Sequence, residues 1–94
     1  MAARTTLNPA ERHTMALYTL LIRIDEDERS VRYRFGPDED HLGVVELHKQ
    51  AEIVNELQPV PGATSKTDLS NARKLLFRLL RSGHGFPETA AYEA

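Results

Sequence analysis

The 94-residue chain contains no cysteine and no tryptophan, and it has no long apolar run. The absence of cysteine excludes a disulfide framework, a cysteine-ligated zinc site and a thiol nucleophile. The most apolar stretch, 15–22, is closed by Arg23 and Asp25, whereas a membrane span needs about 18 apolar residues or more. Residues 1–6 are not followed by the apolar core of a signal peptide. We therefore expect a cytoplasmic protein that does not contact a membrane.

An excess of charge of one sign is also lacking. The chain has 12 Lys and Arg against 14 Asp and Glu, for a formal net charge of −2. Domains that bind nucleic acid are usually strongly basic, so this balance argues against a nucleic-acid partner. The hydrophobic fraction of 40% and the mixed-sign charges indicate a folded domain. We expect a flexible N-terminal segment at 1–14, one domain at 15–88 and a C-terminal tail at 89–94.

Four segments have the features of β-strands. The first is rich in β-branched and aromatic side chains, and the second alternates apolar with cationic residues. A polar, acidic turn between them predicts an antiparallel hairpin, and Gly36-Pro37 is expected to end the second strand. Two further apolar runs predict a second hairpin. The predicted strands are 16–25, 30–36, 43–48 and 53–57.

A helix is predicted after the Pro- and Gly-containing segment 59–62. Residues 65–68 match the capping-box pattern, and Gly83 provides a C-terminal stop. Between them, apolar residues from Leu69 to Leu80 recur at a spacing that places them within an arc of about 140° on one helix face. The predicted fold is therefore α+β: a four-stranded antiparallel β-meander with one C-terminal helix packed on one face.

The helix is expected to cover the sheet face that carries Val31, Tyr33 and Phe35. Arg32 and Arg34 then project from the opposite face, because side chains alternate along a strand. They are candidate contacts for an anion or for nucleic acid. However, aromatic side chains do not alternate with them on that face, as they do on many nucleic-acid-binding sheets. Ion pairs with nearby acidic residues are the alternative interpretation.

The first strand is apolar on both faces. A strand of this kind needs a second cover besides the single helix. We predict that Met15, Leu17 and Leu21 form an interface on the side that the helix leaves uncovered. The candidate covers are the N-terminal segment, the C-terminal tail with Phe86 and Tyr92, and a second copy of the chain.

Side chains that could carry chemistry are few. Residues 38–41, Asp-Glu-Asp-His, could hold a divalent cation, but they lack the glycine and distant glutamate of an EF-hand loop, so a solvated acidic turn is the alternative. His48 and Glu52 could form a general-base pair or an ordinary cross-strand contact. The sequence contains no phosphate-binding glycine loop and no nucleophile motif. We therefore predict no enzyme activity, no cofactor and no metal site.

Three short stretches carry a resemblance to other proteins. They are Tyr-Arg-Phe-Gly-Pro at 33–37, Gly-Val-Val-Glu-Leu at 43–47 and Gly-Phe-Pro-Glu at 85–88. Together they resemble short bacterial proteins of unknown function with the order hairpin, hairpin, helix and Phe-Pro tail. The resemblance covers 15–90 and implies a bacterial cytoplasmic origin.

These observations favour a small non-catalytic protein-interaction module that self-associates as a homodimer or binds another protein. The alternative is nucleic-acid or anion binding through the face of Arg32 and Arg34. A third hypothesis is a small enzyme centred on His48 or on the 38–41 loop.

Overall fold

The computed structural model of the chain describes residues 18–93, which form five strands and one helix. All strand pairs are antiparallel, and the order across the sheet is β4-β3-β2-β1-β5. The predicted α+β class, with a meander and one helix on one sheet face, is confirmed. The elements are β1 (Thr19–Glu26), β2 (Ser30–Asp38), β3 (His41–His48), β4 (Ile53–Gln58), α1 (Ser65–Ser82) and β5 (Thr89–Tyr92).

Helix α1 packs across β1, β2 and β5, and the core lies between it and the sheet. As the alternation in β2 predicts, Val31, Tyr33 and Phe35 are 0% exposed. Ala72 and Leu76 on the predicted apolar helix face are fully buried as well. The helix ends at Gly83, whose φ of 72° lies in the left-handed region that favours glycine.

The C-terminal segment departs from the prediction. Residues 89–94 were expected to be a tail, but Thr89–Tyr92 forms strand β5 on the outer side of β1. Its register pairs Leu21 with Ala90 and Thr19 with Tyr92. Four residues, two of them alanine, carry a weak strand signal. The strand forms because a distant partner, β1, offers an unpaired edge.

The stretch that joins α1 to β5, residues 85–88, is held against β1 and β2 by hydrogen bonds. Arg23 donates from its guanidinium to the carbonyl oxygen of Phe86 at 2.5 Å, and its backbone N–H donates to that of Glu88 at 2.8 Å. The Tyr33 hydroxyl donates to the carbonyl oxygen of Pro87 at 2.6 Å. Burial raises the pKa of Tyr33 to about 12. These bonds set the position from which β5 begins.

A buried polar cluster joins the start of β1 to the start of α1. The hydroxyls of Thr19 and Thr64 each donate to the carboxylate of Asp68 at 2.7 Å. The side-chain amide of Asn71 donates to the Thr19 hydroxyl oxygen at 3.0 Å. Asp68 is 0% exposed. The predicted capping box is not formed, because Thr64 occupies the N-cap position without a side-chain cap. Asp68 instead connects the helix to the sheet.

Two glycines allow close approaches of the backbone around β3. A Cβ on Gly36 would lie 2.0 Å from the carbonyl oxygen of His41, and one on Gly43 would lie 2.3 Å from that of Gln58. Strand β2 therefore continues through Gly36 and Pro37 to Asp38, with a register irregularity, and does not end at Gly36-Pro37 as predicted. After β4 the backbone passes close to Gly43, and Val60 is buried at 2% exposure.

The N-terminal segment 1–14, predicted to be flexible, lies outside the described residues. Within 18–93, no helix has both the length and the apolar character needed to cross a membrane.

Candidate interaction surface

The sheet face opposite α1 is not covered by any other part of the described chain. We call it the open face. The register places side chains from four strands on it in cross-strand rows. Most of these side chains are partly buried by their neighbours, whereas Ile53 is 51% exposed. The open face includes Leu20, Ile22, Arg32, Arg34, Val44, Glu46, His48, Ile53 and Asn55.

Arg34 occupies the centre of the open face, on the middle strand of the sheet. Its direct cross-strand neighbours are Ile22 on β1 and Val44 on β3. Arg34 is exposed, and within residues 18–93 it has neither a hydrogen bond nor an ion pair. The row therefore presents one cation flanked by two aliphatic side chains.

Arg32, in contrast, is engaged by a carboxylate. Its guanidinium donates through Nε to Asp25 Oδ1 at 2.9 Å and through a second nitrogen to Oδ2. This bidentate hydrogen bond lowers the pKa of Asp25 and raises that of Arg32. Glu46, its cross-strand neighbour on β3, adds a second negative charge nearby. Of the two predicted anion contacts, Arg34 alone has no carboxylate paired with it among residues 18–93.

A β-bulge in β1 brings Asp25 to Arg32. The register shifts between Arg23 and Asp25, so Ile24 is the extra residue and Asp25 lies opposite Arg32. In an unbroken register, Ile24 would occupy that place. Ile24 is instead left 42% exposed at the end of the sheet. Sequence alternation alone predicts the unbroken register, so this ion pair was not predicted.

The predicted interface of Met15, Leu17 and Leu21 is corrected at Leu21. This side chain is 0% exposed and packs in the core beneath α1. Met15 and Leu17 lie outside the described residues. Because both faces of β1 are apolar, its alternation could not show which one meets the helix. The buried hydrogen bond from Thr19 to Asp68 shows that the face of β1 with Thr19 and Leu21 meets the helix. Leu20 and Ile22 therefore occupy the uncovered side.

The C-terminal residues proposed as a cover for the second face lie on the other side. Phe86 and Tyr92 pack against the core beneath and beside α1. The ring of Tyr92 also receives Lys74 and Arg78, whose charged groups lie 5.9 and 5.6 Å from its centroid. The tail therefore extends the sheet and seals the covered face, and it leaves the open face uncovered.

The 38–41 loop is a tight acidic turn at the tip of the β2–β3 hairpin. Asp38 contacts the His41 ring nitrogen Nδ1 at 2.8 Å and accepts the backbone N–H of Asp40 at the same distance. The hydrogen bond between the side chains lowers the pKa of Asp38 and raises that of His41. Among residues 18–93, no three His, Asp or Glu side chains are grouped so that they could hold a metal ion.

His48 takes part in the β3–β4 turn. Its Nδ1 accepts the backbone N–H of Ala51 at 3.3 Å, and its carbonyl oxygen accepts that of Glu52 at 2.8 Å. Glu52 adopts a φ of 56°, a left-handed conformation that closes the turn. The cross-strand partner of His48 is Ile53. The predicted His48–Glu52 relation is thus a backbone contact in this structure.

Two shallow depressions lie away from the open face. One, of about 510 Å³, is lined by the end of α1 and by residues 84–87, among them Leu79 and Phe86. The other, of about 610 Å³, follows the acidic stretch Arg23 to Glu28 beside the bulge. Both are wide open to solvent. Ser82 and His84 also line the first, but among residues 18–93 no hydrogen bond joins their side chains, because the Ser82 hydroxyl donates to the carbonyl oxygen of Leu79 and accepts the backbone N–H of His84.

No protein-family model, no curated protein and no solved structure matches this chain. The residues that the sequence did not single out are Ile22, Val44 and Ile53. Their signal was present in the alternation of β1, β3 and β4, but it could be interpreted only once the register related each strand to the alternation of β2.

Proposed function

We propose that this chain is a small non-catalytic protein-interaction module that binds another protein through the open face. The observation that carries the proposal is the central row of Ile22, Arg34 and Val44. One helix covers one face of a five-stranded sheet, and the other face presents aliphatic side chains around a cation that has no counter-charge among residues 18–93. Arginine is enriched at protein-binding sites, and the buried centre of such a site is more apolar than its rim.

The row also specifies the chemistry of the partner. Burial of Arg34 without a counter-charge would be costly, so the partner must supply a carboxylate to it. Ile22 and Val44 on either side require aliphatic or aromatic groups around that carboxylate. We therefore expect a partner whose contact surface has one or two acidic side chains within an apolar patch.

Nucleic-acid or anion binding through the same face is less well supported. Arg32 is neutralised by Asp25, and Glu46 lies beside it. Phosphate-backbone binding derives its affinity from several cations acting together. Arg34 is one cation, and the cationic residues Lys74, Arg78 and Arg81 project from the opposite side of the molecule, on α1. The proposal of a bacterial cytoplasmic protein depends on the sequence resemblance, and cell fractionation would test the location.

Affinity capture with matched baits tests the function. The baits are the wild-type chain, the open-face variants Arg34→Glu and Val44→Lys, and Lys74→Glu on the outer surface of α1 as a control. We expect a protein retained by the wild type and by Lys74→Glu, and lost from both open-face baits. Calorimetry with that purified protein should then give the same ranking. A protein that all four baits retain equally, or none retained by the wild type, would contradict the proposal.

A further inference from the structure

The two edges of the sheet differ in how far they are covered. β5 packs against α1 through Ala90 and Tyr92. β4, at the other edge, has five of its six residues exposed, and only Val54 packs against the core. The backbone N–H and C=O groups along an uncovered edge can pair with another strand. Ile53 and Leu57 on this edge are 51% and 50% exposed.

The sequence of β4 is complementary to itself in one register. We propose that two copies of the chain pair their β4 strands antiparallel about a two-fold axis at Asn55. Each Ile53 then lies opposite Leu57 of the other copy, so the two large exposed apolar residues of the edge cover one another. The register shift between Val44 and Val45 leaves Leu57 without a partner residue on β3. Pairing supplies that partner from the second copy.

The glutamates select this register over its neighbours. An axis normal to the sheet must pass midway between the two copies of one β4 residue if both helices are to lie on the same side. An axis at Val54 would place Glu52 opposite Glu56 of the other copy, and an axis at Glu56 would place the two Glu56 residues opposite each other. Like charges directly opposite each other destabilise a strand pair. An axis at Asn55 places Glu52 opposite Gln58 and Glu56 opposite Val54, so no charges oppose.

The pairing would join two five-stranded sheets into one continuous sheet of ten strands. Both helices lie on one side, and the two open faces form a single surface on the other. The contact is isologous, as expected for a closed two-fold dimer. The self-pairing goes beyond the proposed function, because a partner can bind the open face of one copy without a second copy at β4.

Cysteine cross-linking tests the register, and the chain is suited to it because it contains no native cysteine. Residues opposite each other in an antiparallel pair have Cα atoms about 4.5 or 5.5 Å apart, which is within the range of a disulfide. Asn55→Cys is on the proposed axis. Lys74→Cys, on the exposed surface of α1, measures collisional cross-linking at the same concentration. We expect Asn55→Cys to form the disulfide dimer about tenfold faster or more, because pairing raises the effective thiol concentration.

Two further cross-linking measurements test the same register. A mixture of Ile53→Cys and Leu57→Cys should form the mixed disulfide faster than either variant forms its own. Adding Leu57→Lys to Asn55→Cys should return its rate to that of Lys74→Cys. Circular dichroism confirms that each variant is folded, and the mixed pair replaces Asn55→Cys if that variant is not. Equal rates for Asn55→Cys and Lys74→Cys, or faster cross-linking at Val54→Cys or Glu56→Cys, would overturn the proposal.

The outcome is separable from that of the proposed function. If baits with open-face substitutions lose their partner while Asn55→Cys does not cross-link, the function stands and the self-pairing fails. If the captured partner protects the β4 amides of a monomer from hydrogen exchange, the edge belongs to that partner, and self-pairing is likewise excluded. If Asn55→Cys cross-links and no bait distinguishes the open face, only the self-pairing stands.

Discussion

The two faces of the sheet are built from the same strands and have opposite surroundings. On β2, Val31, Tyr33 and Phe35 are 0% exposed, whereas Arg34, between Tyr33 and Phe35 in sequence, is exposed. On β1 the contrast is less visible, because Leu21 and Ile22 are both aliphatic. The covered face is closed by α1 and by residues 85–88, and the open face has no such layer within 18–93. Apolar composition alone therefore does not show which face of a strand is the core.

The largest expected effect compares neighbouring residues on β1. Leu21→Ala should reduce the free energy of unfolding by about 2–5 kcal/mol, because it leaves a cavity under α1. Ile22→Ala should cost less than about 1.5 kcal/mol, because its side chain is partly exposed and water can replace the lost atoms. Denaturant titration of both variants measures the difference. Equal losses would show that the open face is covered in solution.

The buried cluster at the helix start is the next test of the covered face. Asp68→Ala should reduce the free energy of unfolding by about 1–3 kcal/mol, because the hydroxyls of Thr19 and Thr64 lose their acceptor in a buried place. Thr67→Ala, at an exposed position one residue earlier, is the control and should change stability by about 0.5 kcal/mol or less. If the two variants are equally stable, Asp68 does not tie β1 to α1.

Tyr33→Phe tests how firmly residues 85–88 are held. Loss of the bond to the Pro87 carbonyl should cost about 1 kcal/mol near neutral pH. Because the pKa of Tyr33 is raised from 10.0 to about 12, the unfolded chain loses this proton at lower pH than the folded chain. The Tyr33 contribution should therefore make wild-type stability fall as the pH rises from 10 towards 12, and Tyr33→Phe should lose that part of the slope. An unchanged slope in the variant would contradict the buried position of the hydroxyl.

The smallest expected effect lies at the exposed hairpin tip. Asp38 raises the pKa of His41 above 6.5 and His41 lowers that of Asp38 below 3.8. The pair therefore stabilises the fold between about pH 4 and pH 6.5, and the contribution is lost as the pH rises through the pKa of folded His41 or falls through that of folded Asp38. His41→Gln should destabilise the chain more at about pH 5 than at about pH 8. An equal loss of stability in His41→Gln at both pH values would show that the His41–Asp38 pair does not form.

Much of the fold could be predicted from local patterns. The alternation in β2 identified its buried face, and the apolar spacing in α1 identified the helix face that meets it. The features that were not predicted depend on distant residues. β5 exists because β1 has a free edge, and Asp25 reaches Arg32 because of a bulge at Ile24. Leu21 was assigned to the wrong face because the evidence that orients β1 is a bond between Thr19 and Asp68, 49 residues apart.

The position of β5 has a consequence for how the chain folds. The four strands of the meander follow one another in sequence, so their hairpins can form as soon as each is synthesised. β5 pairs with β1 across the whole intervening chain, and such long-range contacts form slowly because a large loop must close first. During that interval the outer border of β1 is unprotected. We expect nascent or refolding chains to be most prone to aggregation at this border, until residues 89–92 are in place.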